Sequence, residues 1–226
     1  WVTKALSKKE VDASPECQAA IRAEGEALVQ CGTWDESTVI ERNKLIQWAK
    51  DNNQQIVLGD LLVIGSVKFF ERAREYWKYK GRICYRGDCA KDQNGAYAVY
   101  QELSASLTGI HSANSNLCYG CLPGHKTTQA DAIGAYVQTR LKSKHPTWIR
   151  IPHLLRPKKW GQKYKAPMCR LVMALYGHPE SGAHWEKHLT ESIVRCGGQA
   201  IEEHPSSFWF PKERLMLSVY MDDIIM

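Results

Sequence analysis

The sequence predicts an α/β fold, of the α+β kind, on three observations. Apolar residues recur at helical spacing in two well-separated stretches, one near the start and one between 179 and 196. Between them lie short runs of Val, Ile and Leu bounded by turn residues, which read as strands. The last twelve residues, Leu215-Met-Leu-Ser-Val-Tyr220-Met-Asp-Asp223-Ile-Ile-Met226, set two acids between two such runs, the pattern of an antiparallel hairpin.

In chain order, Ser14-Pro15 offers an N-cap hydroxyl and a proline for the first helical position, and Ala20, Ile21, Ala27 and Leu28 carry a helix to Cys31-Gly32. A second helix is expected from about Thr38 to Lys50, with Ile40, Leu45, Ile46 and Trp48 apolar and Asp51-Asn-Asn53 breaking it. Three strand-like pieces follow, Ile56–Leu58, Leu61–Ile64 and Val67–Phe70. From Lys80 to Asp88 basic and apolar residues alternate, so Lys80, Arg82, Cys84 and Arg86 share a strand face that needs an anion or water. Val99–Cys121 reads as helix and then turn, with Gly109 weakening its middle, and Pro123-Gly124 turns the chain. The short uncharged stretch around Asp131 comes next. From Pro179 the stripe Trp185, Leu189, Ile193 and Cys196 marks a helix that Gly197-Gly198 ends.

Composition narrows the functional classes. The formal charge is +6, but its distribution says more. No Asp or Glu occurs from Ala132 to Pro179, whereas Arg140, Lys142, Lys144, Arg150, Arg156, Lys158, Lys159, Lys163, Lys165 and Arg170 all fall there. Interleaved with Trp148, Trp160 and Tyr164, this is either a phosphate-backbone track or a solvated basic loop, and its prolines predict loop and short edge strand. No apolar run reaches the roughly 18 residues of a membrane span. Eight cysteines without a signal peptide read as reduced thiols of an intracellular protein.

Cys118, Cys121 and His125 have half the spacing of a zinc site but no completing pair, so the cysteines read as small buried hydrophobes. His184 and His188 flank Glu186 on one helix, which is not the order a H-E-x-x-H zinc protease requires. The chain starts at Trp1 and stops within an apolar strand, which reads as a piece of a longer protein.

The adjacent acids Asp222 and Asp223 are costly together unless a cation neutralises them or the turn is solvated, and Asp is common in turns for backbone reasons alone. Asp12, Asp60, Asp88, Asp92 and Asp131 all compete to be a third carboxylate.

Several segments, in order, resemble the reverse transcriptase of copia-type long-terminal-repeat retrotransposons. Tyr220-Met-Asp-Asp223 resembles the Y-x-D-D hairpin. Gln129-Ala-Asp131-Ala-Ile-Gly-Ala-Tyr136 resembles the Q-x-D-x-x-x-A-F/Y segment. Leu175-Tyr-Gly-His-Pro-Glu180 with Trp185 resembles the L-Y-G-x-x-Q…W block, with Glu180 in place of Gln. Lys80-Gly-Arg82 resembles the K-A-R strand, and Trp1 and Gly32-Thr-Trp34 the family's start.

The resemblance implies a right-hand polymerase fold with an antiparallel palm sheet. Its parts are an N-terminal helical segment (1–55), fingers (56–100 and 139–183) and palm (101–138 and 184–226), without primer grip, thumb or ribonuclease H. It implies RNA-directed DNA synthesis from deoxynucleotides with two Mg²⁺ ions, for which Mn²⁺ substitutes. Asp131 and Asp222 bridge the metals, the Ala132 carbonyl adds a ligand, and Asp223 tunes the site from its edge. Lys80 and Arg82 clamp the triphosphate, Glu180 faces the nucleotide, Tyr136 excludes a ribose 2′-hydroxyl, and Met221 lies under the primer terminus. RNA template and DNA primer follow the basic interval. The implied setting is a polyprotein with integrase upstream and ribonuclease H downstream, in a cytoplasmic particle with access to the nucleus and no membrane. The alternative is an inactive retroelement remnant that at most binds nucleic acid.

Overall fold

A computed structural model describes residues 2–100 and 107–226. Trp1 and part of the expected 99–121 helix lie outside the described residues. The chain forms two compact units, Trp1–Tyr100 with Ser143–His178, and Gln101–Lys142 with Pro179–Met226. The fold is mixed α/β with two separate sheets.

In the first unit, β1 (Thr3–Ala5) leads into α1 (Lys8–Ala13) and α2 (Pro15–Gln30). α2 starts as the sequence predicts, with the Ser14 hydroxyl accepting from the Cys17 N–H at 3.2 Å. Then come β2 (Trp34–Glu41), α3 (Arg42–Asp51), β3 (Val57–Lys68), β4 (Lys78–Tyr85) and β5 (Lys91–Asp92). The expected helix from Thr38 is therefore corrected: Thr38-Val-Ile40 is β-branched and belongs to β2, whose Ile40 and Glu41 pair with a later strand, and α3 begins only after Glu41. The Glu41 carboxylate accepts the Lys165 and Ala166 N–H groups at 2.9 and 3.0 Å, which holds the junction.

The three strand-like pieces between 56 and 70 merge into the long β3, which pairs antiparallel with β4 along Leu61–Lys68. α2 lies on this pair through Cys17, Ile21, Gly25 and Leu28. Gly81 permits the approach, because a Cβ there would stand 2.6 Å from the Ile21 Cα, a backbone atom that cannot swing away.

The second unit begins, after the undescribed residues, with α4 (Ile110–Gly120), where Gly109 is the N-cap and not the weak middle expected. β6 (Gln129–Asp131) follows. The chain then returns to the first unit for β7 (Thr147–Arg150) and β8 (Pro167–Leu171). The first sheet runs β1-β3-β7-β8-β2, with β4 and β5 also on β3. β7 is thus an interior strand, parallel to β3, and not the edge strand its prolines suggest. Leu45, Ala49, Ile56, Leu58 and Met168 form the core beneath it, with Trp148 packed against them.

Part of the basic interval is engaged within the fold. Arg150 pairs with Asp60 at 2.8 Å, Lys159 with Glu36 at 3.3 Å, and the Arg156 guanidinium donates to the Ile151, Tyr164 and Lys165 carbonyls. Trp160 is buried. Lys144, Lys158, Lys163, Lys165 and Arg170 remain exposed.

α5 (Ser181–Arg195), β9 (Gln199–Ala200), β10 (Ser207–Phe210), β11 (Leu215–Tyr220) and β12 (Asp223–Ile225) complete the second unit, whose sheet runs β6-β12-β11-β10-β9. α5 covers one face through Ile193 against Phe208, Leu217 and Val219, each such side chain contributing about 1.5–3 kcal/mol by burial. The stripe stops at Ile193, since Cys196 is exposed. No helix among the described residues is long and apolar enough to cross a membrane.

Cys118 and Cys121 are exposed, which corrects their reading as buried hydrophobes, and His125 turns its ring onto Tyr119 at 4.5 Å. By contrast Cys17 and Cys169 are fully buried, and burial pushes both thiols up, Cys169 to about 12. Alkylation of the native protein at pH 8 is therefore expected to label Cys31, Cys118, Cys121 and Cys196 and to spare Cys17 and Cys169 until unfolding. Peptide mass mapping reads the outcome; Cys169 labelled as fast as Cys196 would contradict it.

Candidate functional site

The site grows from the hairpin of β11 and β12. Tyr220 pairs with Asp223, so Met221 and Asp222 alone form the turn. Met221 has φ +59°. A left-handed first central residue is a glycine position in two-residue hairpins, and a non-glycine there stores about 1–3 kcal/mol. The backbone is held on two sides. The Asp222 carbonyl accepts the Ala132 N–H at 2.8 Å, and the Met221 carbonyl accepts the Trp185 indole N–H at 2.8 Å.

β12 lies between β11 and β6, and its register sets Asp223 opposite Asp131. Thr128 and Met226 exchange both backbone bonds, and Ala132 donates to Asp222, so the alternation of the ladder makes Asp131–Asp223 a non-hydrogen-bonded pair. Such pairs hold their side chains closest, and like charges directly opposite repel. Residues opposite each other share a face, so Asp131, Asp223 and Tyr220 lie on the face that carries Ser218 and Ile225, while Val219 and Ile224 face α5.

α4 secures the Ser218 face. The buried Asn116 amide donates to the Met216 carbonyl, the Ser218 hydroxyl and the Ile225 carbonyl at 3.1, 3.3 and 2.9 Å, tying both strands of the hairpin to one helix. Nothing in the sequence around Asn116 signals this clamp, because its partners are about a hundred residues away. Trp185 was legible only as an apolar stripe residue and part of a family block. Its indole bond to the turn is a tertiary fact.

The other predicted residues fall as follows. Ala132 stands next to Asp131 and donates its N–H to the turn. Tyr136 starts a 3-10 turn, is buried, and has its phenol pushed up by burial and by the negative charge of Asp222. Asp222 is on the turn, where the pleat does not set its side chain. Met221 is 39% exposed. Glu180 is buried at the start of α5, its carbonyl accepting from the His184 N–H. Lys80 and Arg82 are exposed on β4 in the first unit, with Gly81 between them and Ile83 after them turned inward. The rival carboxylates are engaged elsewhere: Asp60 with Arg150, Asp88 with Arg86, and Asp92 with the Asn94 and Ala96 N–H groups, while Asp12 is exposed on α1.

Among the described residues no three His, Cys, Asp or Glu side chains gather in a metal-holding arrangement. His184 accepts the Lys142 N–H at 3.3 Å and His188 lies against Trp185, so the helical histidine pair is not poised for zinc. The donor set of the hairpin nonetheless fits a hard cation. Asp131 and Asp223 are exposed, they oppose each other, and no side-chain hydrogen bond or ion pair engages either among the described residues. Mg²⁺ takes only one or two carboxylates beside water and phosphate oxygens.

No protein-family model matches the chain. Over 211 residues, 92% of its length, it is 25% identical to the Transposon Ty1-DR5 Gag-Pol polyprotein of Saccharomyces cerevisiae, and to the same extent to the Ty1-DR1 and Ty1-OR Gag-Pol polyproteins. The chain spans 10% of the length of these relatives. The similarity supports a retrotransposon-related chain.

Proposed function

We propose that the chain is the RNA-directed DNA polymerase core of a retrotransposon polyprotein, adding deoxynucleotides to a primer 3′-hydroxyl on an RNA template. The observation that carries this reading is the register that sets Asp131 opposite Asp223 beside the strained Met221–Asp222 turn. Asp131, Asp222 and Asp223, with the Ala132 carbonyl, would hold two Mg²⁺ ions, or Mn²⁺ in their place. When bound there, such ions would supply activation of the primer hydroxyl and neutralisation of the reacting phosphate.

The chain's own groups divide the remaining work. Asp131 and Asp223 supply oxygen donors whose mutual repulsion makes a cation welcome. The turn keeps those donors at the sheet's end. Met221, partly exposed, supports the primer terminus. Tyr136 stays a neutral phenol and acts by shape, a wall against a 2′-hydroxyl. Lys80 and Arg82 take the role of triphosphate clamp, by charge-assisted hydrogen bonds. Glu180, being buried, supports the start of α5 and reaches a nucleotide only through that helix. The exposed cations of the basic interval track template and primer, with salt-dependent affinity. Integrase and ribonuclease H neighbours and a cytoplasmic particle belong to the same reading.

Primer extension on an RNA template with Mg²⁺ tests it, and a chain inert with both Mg²⁺ and Mn²⁺ rejects it. Tyr136→Ala is expected to raise ribonucleotide incorporation relative to deoxynucleotide by at least about tenfold. Unchanged discrimination removes the gate role.

A second reading, a remnant that only binds nucleic acid, is favoured by one observation: no three metal-ligating side chains are gathered among the described residues. It predicts salt-dependent RNA binding without extension.

A further inference from the structure

We propose that the Trp185 indole N–H is a positioning group for the acidic hairpin, holding the Met221–Asp222 turn in the conformation that presents its carboxylates. Its effect on rate rests on the polymerase reading; the bond itself does not.

Three observations lead to it. The turn is strained at Met221, with φ +59°, so it needs restraint from outside its own two residues. Of its two carbonyls, that of Asp222 is held by the ladder through the Ala132 N–H, whereas that of Met221 is held by a side chain reaching from α5, the Trp185 Nε1–H at 2.8 Å. Finally, among the described residues packing does not lock the turn on that side. A cavity of about 330 Å³ lies there, bordered by Tyr136, Trp185, Leu189, Val219 and Met221. A turn beside open space keeps its place through its hydrogen bonds, and the indole supplies one of them.

Trp185 is itself well anchored. It is 5% exposed, sits on the buried side of α5 and has the His188 ring 6.0 Å away. Its hydrogen bond goes to the backbone and not to the acidic side chains. It acts through the Met221 backbone, one residue before Asp222 and two before Asp223. Losing the N–H while keeping the ring lets the turn relax toward the cavity and moves the carboxylates relative to β6.

The test replaces Trp185 with β-(3-benzothienyl)alanine, which keeps the two-ring shape and puts sulfur where the N–H was. Trp185→Phe is a second variant. In primer extension with Mg²⁺, kcat is expected to fall about 10- to 100-fold, the cost of a small misplacement at a reacting centre. The nucleotide KM is expected to stay within about threefold, the pattern of a lost transition-state arrangement with ground-state binding kept. The Mg²⁺ concentration for half-maximal rate is expected to rise, and the unfolding midpoint of the benzothienyl variant to stay near that of the parent. A benzothienyl variant with parental kcat and Mg²⁺ dependence overturns the proposal.

A second arm needs no activity. The Trp185 indole N–H resonance, identified by its loss in Trp185→Phe, is expected to exchange with D₂O far more slowly than that of Trp48, whose side chain is 46% exposed. Exchange as fast as that of Trp48 overturns the bond. Should the parent chain extend no primer, the polymerase reading falls and this arm alone decides the positioning bond.

Discussion

Asp223→Asn is expected to lower the rate of primer extension by about 10²- to 10³-fold, the scale on which one preorganised electrostatic group acts. The physical reason is the register. Asp223 lies opposite Asp131 in a non-hydrogen-bonded pair, where two carboxylates point the same way and neither has an internal partner among the described residues. Asn keeps the shape and removes the charge. The same change relieves cross-strand repulsion, so the unfolding midpoint measured in EDTA is expected to rise while activity falls. That opposition separates a functional carboxylate from a structural one, since a structural role predicts loss of both. Asp131→Asn and Asp222→Asn are expected to lower the rate in the same way. Equal extension by parent and Asp223→Asn proteins would reject the assignment.

The second large effect is on stability. Gly177→Ala is expected to cost about 3–5 kcal/mol, read as a lower urea midpoint with unchanged slope. Gly177 has φ +85°, a conformation that costs an L-residue about 1 kcal/mol by itself. The larger share comes from contact. A Cβ at 177 would collide with the Tyr85 carbonyl oxygen, a backbone atom, and the Tyr85 N–H is bonded to the Tyr176 carbonyl at 2.6 Å. Relief requires pulling β4 and the 175–178 loop apart. Gly95→Ala is the control, because its φ is +88° but nothing lies within 4 Å of the added Cβ. It is expected to cost only about 1 kcal/mol. Equal losses at the two positions would show that φ, and not the close approach to Tyr85, sets the cost at 177.

Much of the local structure was legible because its causes are local. The Ser14-Pro15 start of α2, the stripe of α5 and the two-residue hairpin at Tyr220–Asp223 each depend on neighbours a few residues away. Where a segment's fate depends on distant partners, local reading failed. Thr38–Glu41 has enough apolar spacing to suggest helix, yet pairing with β8 makes it strand. The prolines around β7 suggest an edge, yet β3 and β8 flank it. Trp160 looks available for nucleic acid in sequence and is buried in the structure.

For the candidate site the division is the same. The chemical inventory is written in the residues: two adjacent acids in a tight turn, a third acid ahead of an aromatic, and cations on an alternating strand. Which acids meet follows from the strand register of the folded sheet. The tertiary structure set Asp131 opposite Asp223, left Asp222 on the turn, tied both hairpin strands to Asn116 and hung the turn from the Trp185 indole. Spacing along a chain fixes which side chains share a face of one element. The register between elements is chosen by the total burial and hydrogen bonding of the whole sheet, and no single segment carries that information.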